Sequence, residues 1–228
     1  PTYAFEMAVI IQDGLDRMYR KQENKFYYIT AMNENYSHPE MPVGVEQGII
    51  KGIYRLIENN FKSANHVQLM GSGTILREVE AAVALLNDDW SVAADVWSIT
   101  SANELRRDGL ACQRWNMLHP EETPKVPYIT EQLKDAEGPF IAATDYMKLY
   151  ADQLRPYVPG RFNVLGTDGF GRSDTRAKLR HFFEVNRYFI VISALSALVD
   201  EAKLDPSVIK QALKKYGISA DKVDPTTV

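Results

Sequence analysis

The chain has 228 residues, of which 45 % are hydrophobic and 25 % charged, as is ordinary for a soluble globular protein. A chain of this length buries enough surface to fold without covalent staples, and the single cysteine, Cys112, excludes an internal disulfide and any cysteine-based zinc site. The formal net charge of −4 argues against a nucleic-acid partner held by bulk positive charge.

The first 36 residues carry two predicted elements. Apolar residues recur at spacings of three and four between Ala4 and Met18, which predicts an amphipathic helix over residues 4–20. The aromatic and β-branched run Phe26–Thr30 predicts a buried strand. Because the chain opens on Pro1 and enters the helical pattern directly, we expect it to be a piece of a longer protein.

Residues 37–42 contain two prolines in four positions and are expected to form a linker. Beyond them, a short apolar strand at 67–70, a helix at 75–86 and a strand at 93–99 predict a βαβ unit with parallel pairing. Further strands are predicted at 53–58, 140–143 and 162–165, and further helices at 47–52, 103–115, 128–133, 146–154, 175–183, 187–201 and 206–216.

This alternation predicts a three-layer α/β/α domain over residues 43–228, with a mostly parallel sheet of about five strands. A remnant of another α/β domain, residues 1–36, would precede it. The longest apolar run, Tyr188–Val199, is too short to span a bilayer and suits a buried helix, so no membrane partner is expected. The absence of a disulfide framework suits a reducing cytoplasm.

A glycine-rich loop at residues 166–171 follows a predicted strand and precedes a predicted helix. Its three glycines indicate backbone turns that only glycine enters at low cost. Open α/β sheets place their binding crevices at such strand ends. Asp168 and Arg172 could be an ion pair that braces the loop, and Asp174 is a candidate N-cap of the helix. The candidate residues of a structural or interface loop are Asp168, Gly169, Gly171 and Arg172.

A second glycine turn lies between the strand predicted at 67–70 and the helix that follows it. Free backbone N–H groups and the helix dipole favour an anion at such a helix N-terminus. The spacing matches neither a dinucleotide fingerprint nor a P-loop, so a tight structural turn is the competing interpretation. The candidate anion site consists of Gly71, Ser72, Gly73 and Thr74.

Other residues that could carry chemistry have simpler interpretations. His119 has no second histidine at a ligand spacing, so a metal site is not expected. Cys112 lies on a predicted helix and is expected to be a packed thiol. His181 is expected at a helix surface or interface. No nucleophile–base pair, pair of catalytic carboxylates or metal motif emerges, and no catalytic, cofactor-binding or metal-binding residue is predicted in this chain.

Six stretches in a fixed order resemble one enzyme family, and together they extend over essentially the whole chain. They are Tyr27–Tyr36, Leu69–Gly73, Ser98–Ser101, Arg114–Pro120, Thr144–Lys148 and Leu165–Val185. They resemble the carboxyl-terminal part of the transketolase-like thiamine-diphosphate enzymes, and among these the homodimeric bacterial pyruvate dehydrogenases that form the decarboxylating first component of the pyruvate dehydrogenase complex.

The resemblance implies that residues 1–36 end a middle, pyrimidine-binding domain and that residues 43–228 form a transketolase-like carboxyl-terminal domain. It implies a parent enzyme that decarboxylates pyruvate and acetylates a lipoyl group, with thiamine diphosphate and magnesium bound outside this chain. The fragment would be inactive alone. A second copy of the subunit and the dihydrolipoyl acetyltransferase of the complex would be its partners, in the cytoplasm.

Two alternatives stay open from the sequence. The chain could belong to another enzyme of the same superfamily, such as a transketolase acting on sugar phosphates. It could also be a stand-alone α/β module that binds a nucleotide or a partner protein. A Gly-Asp-Gly motif with a downstream asparagine, several hundred residues upstream in the full-length protein, would favour either enzyme over the stand-alone module.

Overall fold

One five-stranded sheet organises the computed structural model, which describes residues 1–228. The strands are β1 Ile53–Ile57, β2 His66–Gly71, β3 Ala93–Ile99, β4 Phe140–Ala143 and β5 Phe162–Leu165. They lie in the order β1-β3-β2-β4-β5, and β2 to β5 run parallel. Only β1, at one edge, is antiparallel, and its register shifts between Arg55 and Ile57. The predicted sheet is therefore confirmed, including its mostly parallel pairing.

Nine α-helices accompany the strands. They are α1 Ala4–Leu15, α2 Glu46–Lys51, α3 Leu76–Trp90, α4 Ala102–Leu118, α5 Tyr128–Leu133, α6 Lys148–Asp152, α7 Arg176–Phe182, α8 Arg187–Asp200 and α9 Ser207–Lys215. A π-helical turn at Asp16–Arg20 extends α1 over the length predicted for it. The helix predicted at 146–154 is shorter, because α6 ends at Asp152 and a 3₁₀ turn containing Pro156 follows.

The helices cover both faces of the sheet, because each face carries apolar side chains at alternate strand positions. On one face, Val67 and Leu69 of β2 are buried with α3 and α8. On the other face, Met70 of β2 and Trp97 of β3 are buried with α4 and α5. The two cores lie on opposite sides of one sheet, which confirms the predicted three-layer α/β/α fold.

The connections that follow the neighbouring strands β2 and β4 run toward opposite edges of the sheet. From β2 the chain passes through α3 to β3 on one side, and from β4 it passes through α6 to β5 on the other. The carboxyl ends of β2 and β4 therefore flank a topological switch point, where open α/β sheets form a crevice. We call this the switch-point crevice, bounded by the turn at 71–74 and by Thr144 and Asp145.

The strand predicted at Phe26–Thr30 is wrong. No strand pairs with these residues, and Phe26 and Tyr28 are each 87 % exposed. Aromatic and β-branched residues favour a strand when a neighbouring strand supplies hydrogen bonds and packing. All five strands of this chain lie between residues 53 and 165, in a sheet that Phe26–Thr30 does not join.

The stretch Arg176–Asp200 is long and apolar enough to cross a membrane, judged by length and composition alone. It comprises α7 and α8, and Asn186 caps α8 by accepting hydrogen bonds from its first backbone N–H groups. Ile190 and Leu195 of α8 are fully buried against α3. This burial is typical of a core helix and agrees with the buried helix predicted at Tyr188–Val199.

Residues 21–30 should exchange their amide hydrogens well before residues 67–99. The first region lies in no helix or strand, whereas the second contains β2, α3 and β3 at the centre of the domain. Hydrogen exchange followed by mass spectrometry measures both regions in one experiment. Equal protection in the two regions would contradict the assignment of residues 1–36 to the end of a separate domain.

Candidate functional site

The switch-point crevice is built from the turns that follow β2 and β4. Ser72 Oγ donates a hydrogen bond of 2.9 Å to Thr144 Oγ1, which joins the two strand ends. Gly71 lets α3 approach closely, since a Cβ there would lie 2.7 Å from Leu76 Cα. Gly73 has a φ of +54°, a left-handed conformation that favours glycine. These contacts fit the interpretation of residues 71–74 as a tight structural turn.

The beginning of the chain covers part of this crevice. Thr2 is buried beside the turn at 71–74, and Tyr3 is buried against α3. The hydroxyl of Thr2 donates a hydrogen bond of 2.7 Å to the carbonyl oxygen of Gly73, and the hydroxyl of Tyr3 donates one of 2.5 Å to Glu80 Oε2. Protein thus covers part of the position at which a ligand would enter an open α/β sheet, while Ser72, Gly73 and Asp145 also line a cavity.

Charged groups of both signs lie at the crevice, and the Arg180 guanidinium donates a hydrogen bond of 3.3 Å to Thr74 Oγ1. The Asp145 carboxylate follows β4 and lies 3.6 Å from the position that a Cβ on Gly73 would occupy. Burial raises the pKa of Asp145, and an added anion would place a second negative charge beside it. The candidate anion site of Gly71, Ser72, Gly73 and Thr74 stays a prediction, with a structural role for the turn better matched to these contacts.

A larger cavity of about 1050 Å³ lies between residues 10–32 and the carboxyl ends of β2, β3 and β4. Charged side chains of both signs line it, and no single sign prevails. The cations are Arg17, Lys25, Lys51 and Arg107, and the carboxylates are Asp13, Glu104 and Asp145. Such a lining provides no concentrated field for a charged ligand.

A chain of ion pairs ties four distant parts of the sequence together beside the crevice. Arg180 on α7 contacts Glu34 Oε2 at 2.6 Å and Glu78 Oε1 at 3.4 Å. Glu78 on α3 accepts two further hydrogen bonds from the Arg187 guanidinium and one from the Arg187 backbone N–H. Arg77 reaches Glu34 at 3.1 Å. Sequence reasoning missed this cluster, because the partners are far apart along the chain and none forms a motif.

The glycine loop at 166–171 is held by backbone contacts. Asp168 Oδ1 accepts a hydrogen bond of 2.9 Å from the backbone N–H of Lys148, and the Arg172 guanidinium lies 4.8 Å from the centre of the Phe182 ring. No ion pair joins Asp168 to Arg172, so the predicted pair is wrong. Asp168 instead contacts the backbone of α6, and Arg172 contacts the Phe182 ring on α7.

The two glycines that we singled out differ. Gly169 has a φ of +100°, and a Cβ there would lie 2.3 Å from the carbonyl oxygen of Pro225. Gly171 has no positive φ and no atom near its missing Cβ. The N-cap prediction was one residue early, because Thr175 is the N-cap of α7 and Asp174 accepts a hydrogen bond from the backbone N–H of Thr175.

The remaining candidates lie apart from one another. His119 stacks on Trp115 with ring centres 4.4 Å apart, and its Nδ1 is 2.8 Å from the Trp115 carbonyl oxygen. Cys112 is buried on α4, and burial raises the pKa of its thiol, as expected for a packed cysteine. His181 is exposed on α7, as predicted. No group of three metal-ligating side chains occurs in residues 1–228.

Fold and crevice together define an α/β domain whose switch-point crevice is partly covered by the beginning of its own chain. Residues 52–186 match the family model of the transketolase-like TK C-terminal domain, and residues 1–39 match that of the pyruvate dehydrogenase E1 component middle domain. The first match covers more than half of the chain, and the chain therefore belongs to the transketolase-like C-terminal domain family. The division into residues 1–36, 37–42 and 43–228 stays a prediction.

Three curated relatives of this chain share one name, pyruvate dehydrogenase E1 component. The chain is 58 % identical to that of Pseudomonas aeruginosa over 226 residues, which is 99 % of this chain and 26 % of the relative. It is 54 % identical to that of Cupriavidus necator, over 100 % of this chain and 26 % of the relative. It is 56 % identical to that of Escherichia coli K12, over 99 % of this chain and 25 % of the relative. The resemblance found in the sequence is confirmed, and the chain spans about a quarter of the length of these relatives.

Among solved structures, a transketolase from Pichia stipitis in complex with sedoheptulose 7-phosphate is 14 % identical to this chain. The superposition has a TM-score of 0.48 and covers 74 % of this chain and 21 % of that one. The family assignment rests on the family models and not on this likeness.

Replacing Gly169 by alanine should lower the free energy of unfolding by about 1 kcal/mol or more, because φ is positive and the Cβ would clash with Pro225. Gly171→Ala is the matched control in the same loop and should leave it unchanged. Urea melts of the two variants make the comparison. Urea midpoints equal to the wild-type value for both variants would show that the loop tolerates a Cβ at either position.

Acidification should weaken the domain through Glu78. Burial alone would raise the pKa of Glu78, but hydrogen bonds and charge from Arg187 and Arg180 outweigh it and hold the pKa below its usual range. The stability this gives is present above the pKa of an unfolded glutamate and is lost as pH falls through the lowered folded value.

The variant Glu78→Gln removes this titrating group. It should cost about 2 kcal/mol at neutral pH, and it should flatten the decline of the urea midpoint between about pH 5 and pH 3. The exposed Glu121→Gln is the control and should keep the wild-type profile. A Glu78→Gln profile as steep as the wild type would assign the acid sensitivity to other carboxylates.

Proposed function

We propose that this chain is the carboxyl-terminal portion of a thiamine-diphosphate-dependent pyruvate dehydrogenase that transfers an acetyl group to a lipoyl group. One observation carries the proposal. Residues 1–39 and 52–186 match two domains in sequence, the first specific to the pyruvate dehydrogenase E1 component, and relatives of that name are 54–58 % identical over essentially the whole chain.

In this proposal the chain has an architectural role. The residues described here do not fit thiamine diphosphate with magnesium. The glycine turn at the N-terminus of α3 is covered by Thr2 and lies beside the Asp145 carboxylate, which would repel a diphosphate. No step of the reaction is therefore assigned to these residues, and both cofactors bind elsewhere in the full-length enzyme.

Residues 1–36, which we call the first segment, carry exposed apolar side chains that support a longer protein. Leu15, Tyr19, Phe26 and Tyr28 are each more than half exposed on residues 15–28, and apolar side chains exposed so close together in sequence suit a surface that more protein covers. In the proposal, the rest of the middle domain covers it. The enzyme would be a homodimer in the cytoplasm with the dihydrolipoyl acetyltransferase as partner, and without nucleic-acid or membrane partners.

The alternatives receive less support. A transketolase-type enzyme would share the family of residues 52–186, but it would not explain the middle-domain match at residues 1–39. A stand-alone binding module would not explain relatives about four times as long as this chain.

The full-length gene product, supplied with thiamine diphosphate and magnesium, should release carbon dioxide from pyruvate and acetylate a lipoyl acceptor. Ketol transfer between sugar phosphates without pyruvate decarboxylation would support the transketolase alternative and overturn the proposal.

The 228-residue chain alone should show neither pyruvate-dependent carbon dioxide release nor tight thiamine diphosphate binding by isothermal titration calorimetry, because in the proposal the residues that bind the cofactors lie outside this chain. The full-length protein is the positive control in both measurements. Carbon dioxide release by the purified 228-residue chain would contradict the architectural role.

A further inference from the structure

Glu6 on α1 is a fully buried carboxylate, 0 % exposed, without a lysine or arginine in ion-pair contact. Its Oε2 accepts hydrogen bonds from the backbone N–H groups of Thr2 and Tyr3, the latter at 3.0 Å. Its Oε1 accepts one of 2.7 Å from the Tyr54 hydroxyl and one of 2.6 Å from Ser98 Oγ. A buried carboxylate is tolerated only when its oxygens are satisfied in this way.

The four hydrogen-bond donors lie on two separate parts of the protein, the beginning of α1 and the central sheet. The N–H groups of Thr2 and Tyr3 lie at the beginning of α1, where a helix has N–H groups without partners in the helix. Tyr54 on β1 and Ser98 on β3 are opposite each other in the sheet. The carboxylate therefore joins the N-terminus of α1 to two paired strands.

Contacts at the beginning and end of the first segment contrast with its middle. Residues 1–6 are held through Glu6 and through the Thr2 hydrogen bond to Gly73, and Glu34 is paired with Arg180. The intervening residues 21–30 form no helix or strand, and several of their side chains are exposed. The closest polar contacts of the segment are thus near its two ends, although α1 also packs on α2 and the Thr30 hydroxyl accepts a hydrogen bond of 2.7 Å from the Tyr146 hydroxyl.

We infer that this edge of the domain is a docking surface for protein, and that Glu6 is the residue it recognises. The surface consists of Tyr54, Gly73, Glu80 and Ser98. Its occupant is the N-terminal end of α1, with Glu6 at the third helical position and the buried residues Thr2 and Tyr3 before the helix. Part of the crevice that related sheet architectures give to small ligands is here covered by the preceding domain. This inference does not rest on the proposed reaction.

The pattern of hydrogen-bond donors determines which side chain at position 6 the docking surface can bind. In Glu6→Gln, the amide oxygen can still accept from the two N–H groups, and the amide nitrogen can donate to the hydroxyls of Tyr54 and Ser98, which can rotate to accept. In Glu6→Ala, all four donors lose their acceptor. Tyr54→Phe removes one donor from the sheet side and leaves the helix N-terminus untouched.

The test measures amide hydrogen exchange in the 228-residue chain and its variants. Glu6→Ala should raise the exchange rate of residues 4–15 by roughly tenfold or more, as expected for the loss of hydrogen bonds to a buried charge. Residues 67–71 and 93–99 should keep their rates. Glu6→Gln should show a smaller rise, and the exposed Glu40→Ala should show none.

Tyr54→Phe separates docking from simple helix capping, and it remains informative if Glu6→Ala fails to fold. Docking predicts faster exchange in residues 4–15, although the substitution lies on β1. In combination with Glu6→Gln, its effect should be less than additive, because both changes alter one contact. Unchanged exchange of residues 4–15 in Tyr54→Phe, or an equal rise in β2 and β3, would overturn the inference.

Discussion

Strand β2 is the constraint on which the rest of the structure depends. It is hydrogen-bonded on one side to β3 and on the other to β4, and its last five residues are buried. A parallel strand in this position needs helices on both faces, and β2 accordingly buries Val67 and Leu69 on one face and Gln68 and Met70 on the other. Its carboxyl end, with Gly71 close against Leu76, then fixes where the crevice opens and how near α3 can lie.

The polar groups around that crevice explain why the first segment remains on the domain. Its middle is largely exposed, and only Tyr3, Phe5 and Tyr36 of the segment reach the hydrophobic core, so apolar burial does not hold the segment alone. Instead, Glu6 and Glu34 supply carboxylates to donors on the domain, and Arg180 connects Glu34 to Glu78. These interactions are strong because they are sheltered from water, whereas the same pairs on an open surface would contribute little.

The sequence was most informative where local patterns reflect local physics. The βαβ unit around α3 was predictable, because strand and helix periodicities impose themselves on consecutive residues. Phe26–Thr30 had the composition of a strand, but a strand also needs a neighbour, and composition carries no record of one. Glu6 and Arg180 were not predicted, because their partners are 48 to 146 residues away and only the fold brings them together. The glycine loop was located correctly, yet only the backbone conformation separates Gly169 from Gly171.

The two free edges of the sheet carry a consequence for self-association. The antiparallel edge strand β1 changes register between Arg55 and Ile57, and this irregularity interrupts the straight row of backbone groups that another strand would need. At the opposite edge, the Arg155 guanidinium donates a hydrogen bond of 2.7 Å to the carbonyl oxygen of Phe162 on β5 and so occupies an acceptor there. Both features guard against edge-to-edge aggregation. Copies of this domain would consequently associate through side chains and loops, without extending the sheet from one molecule into the next.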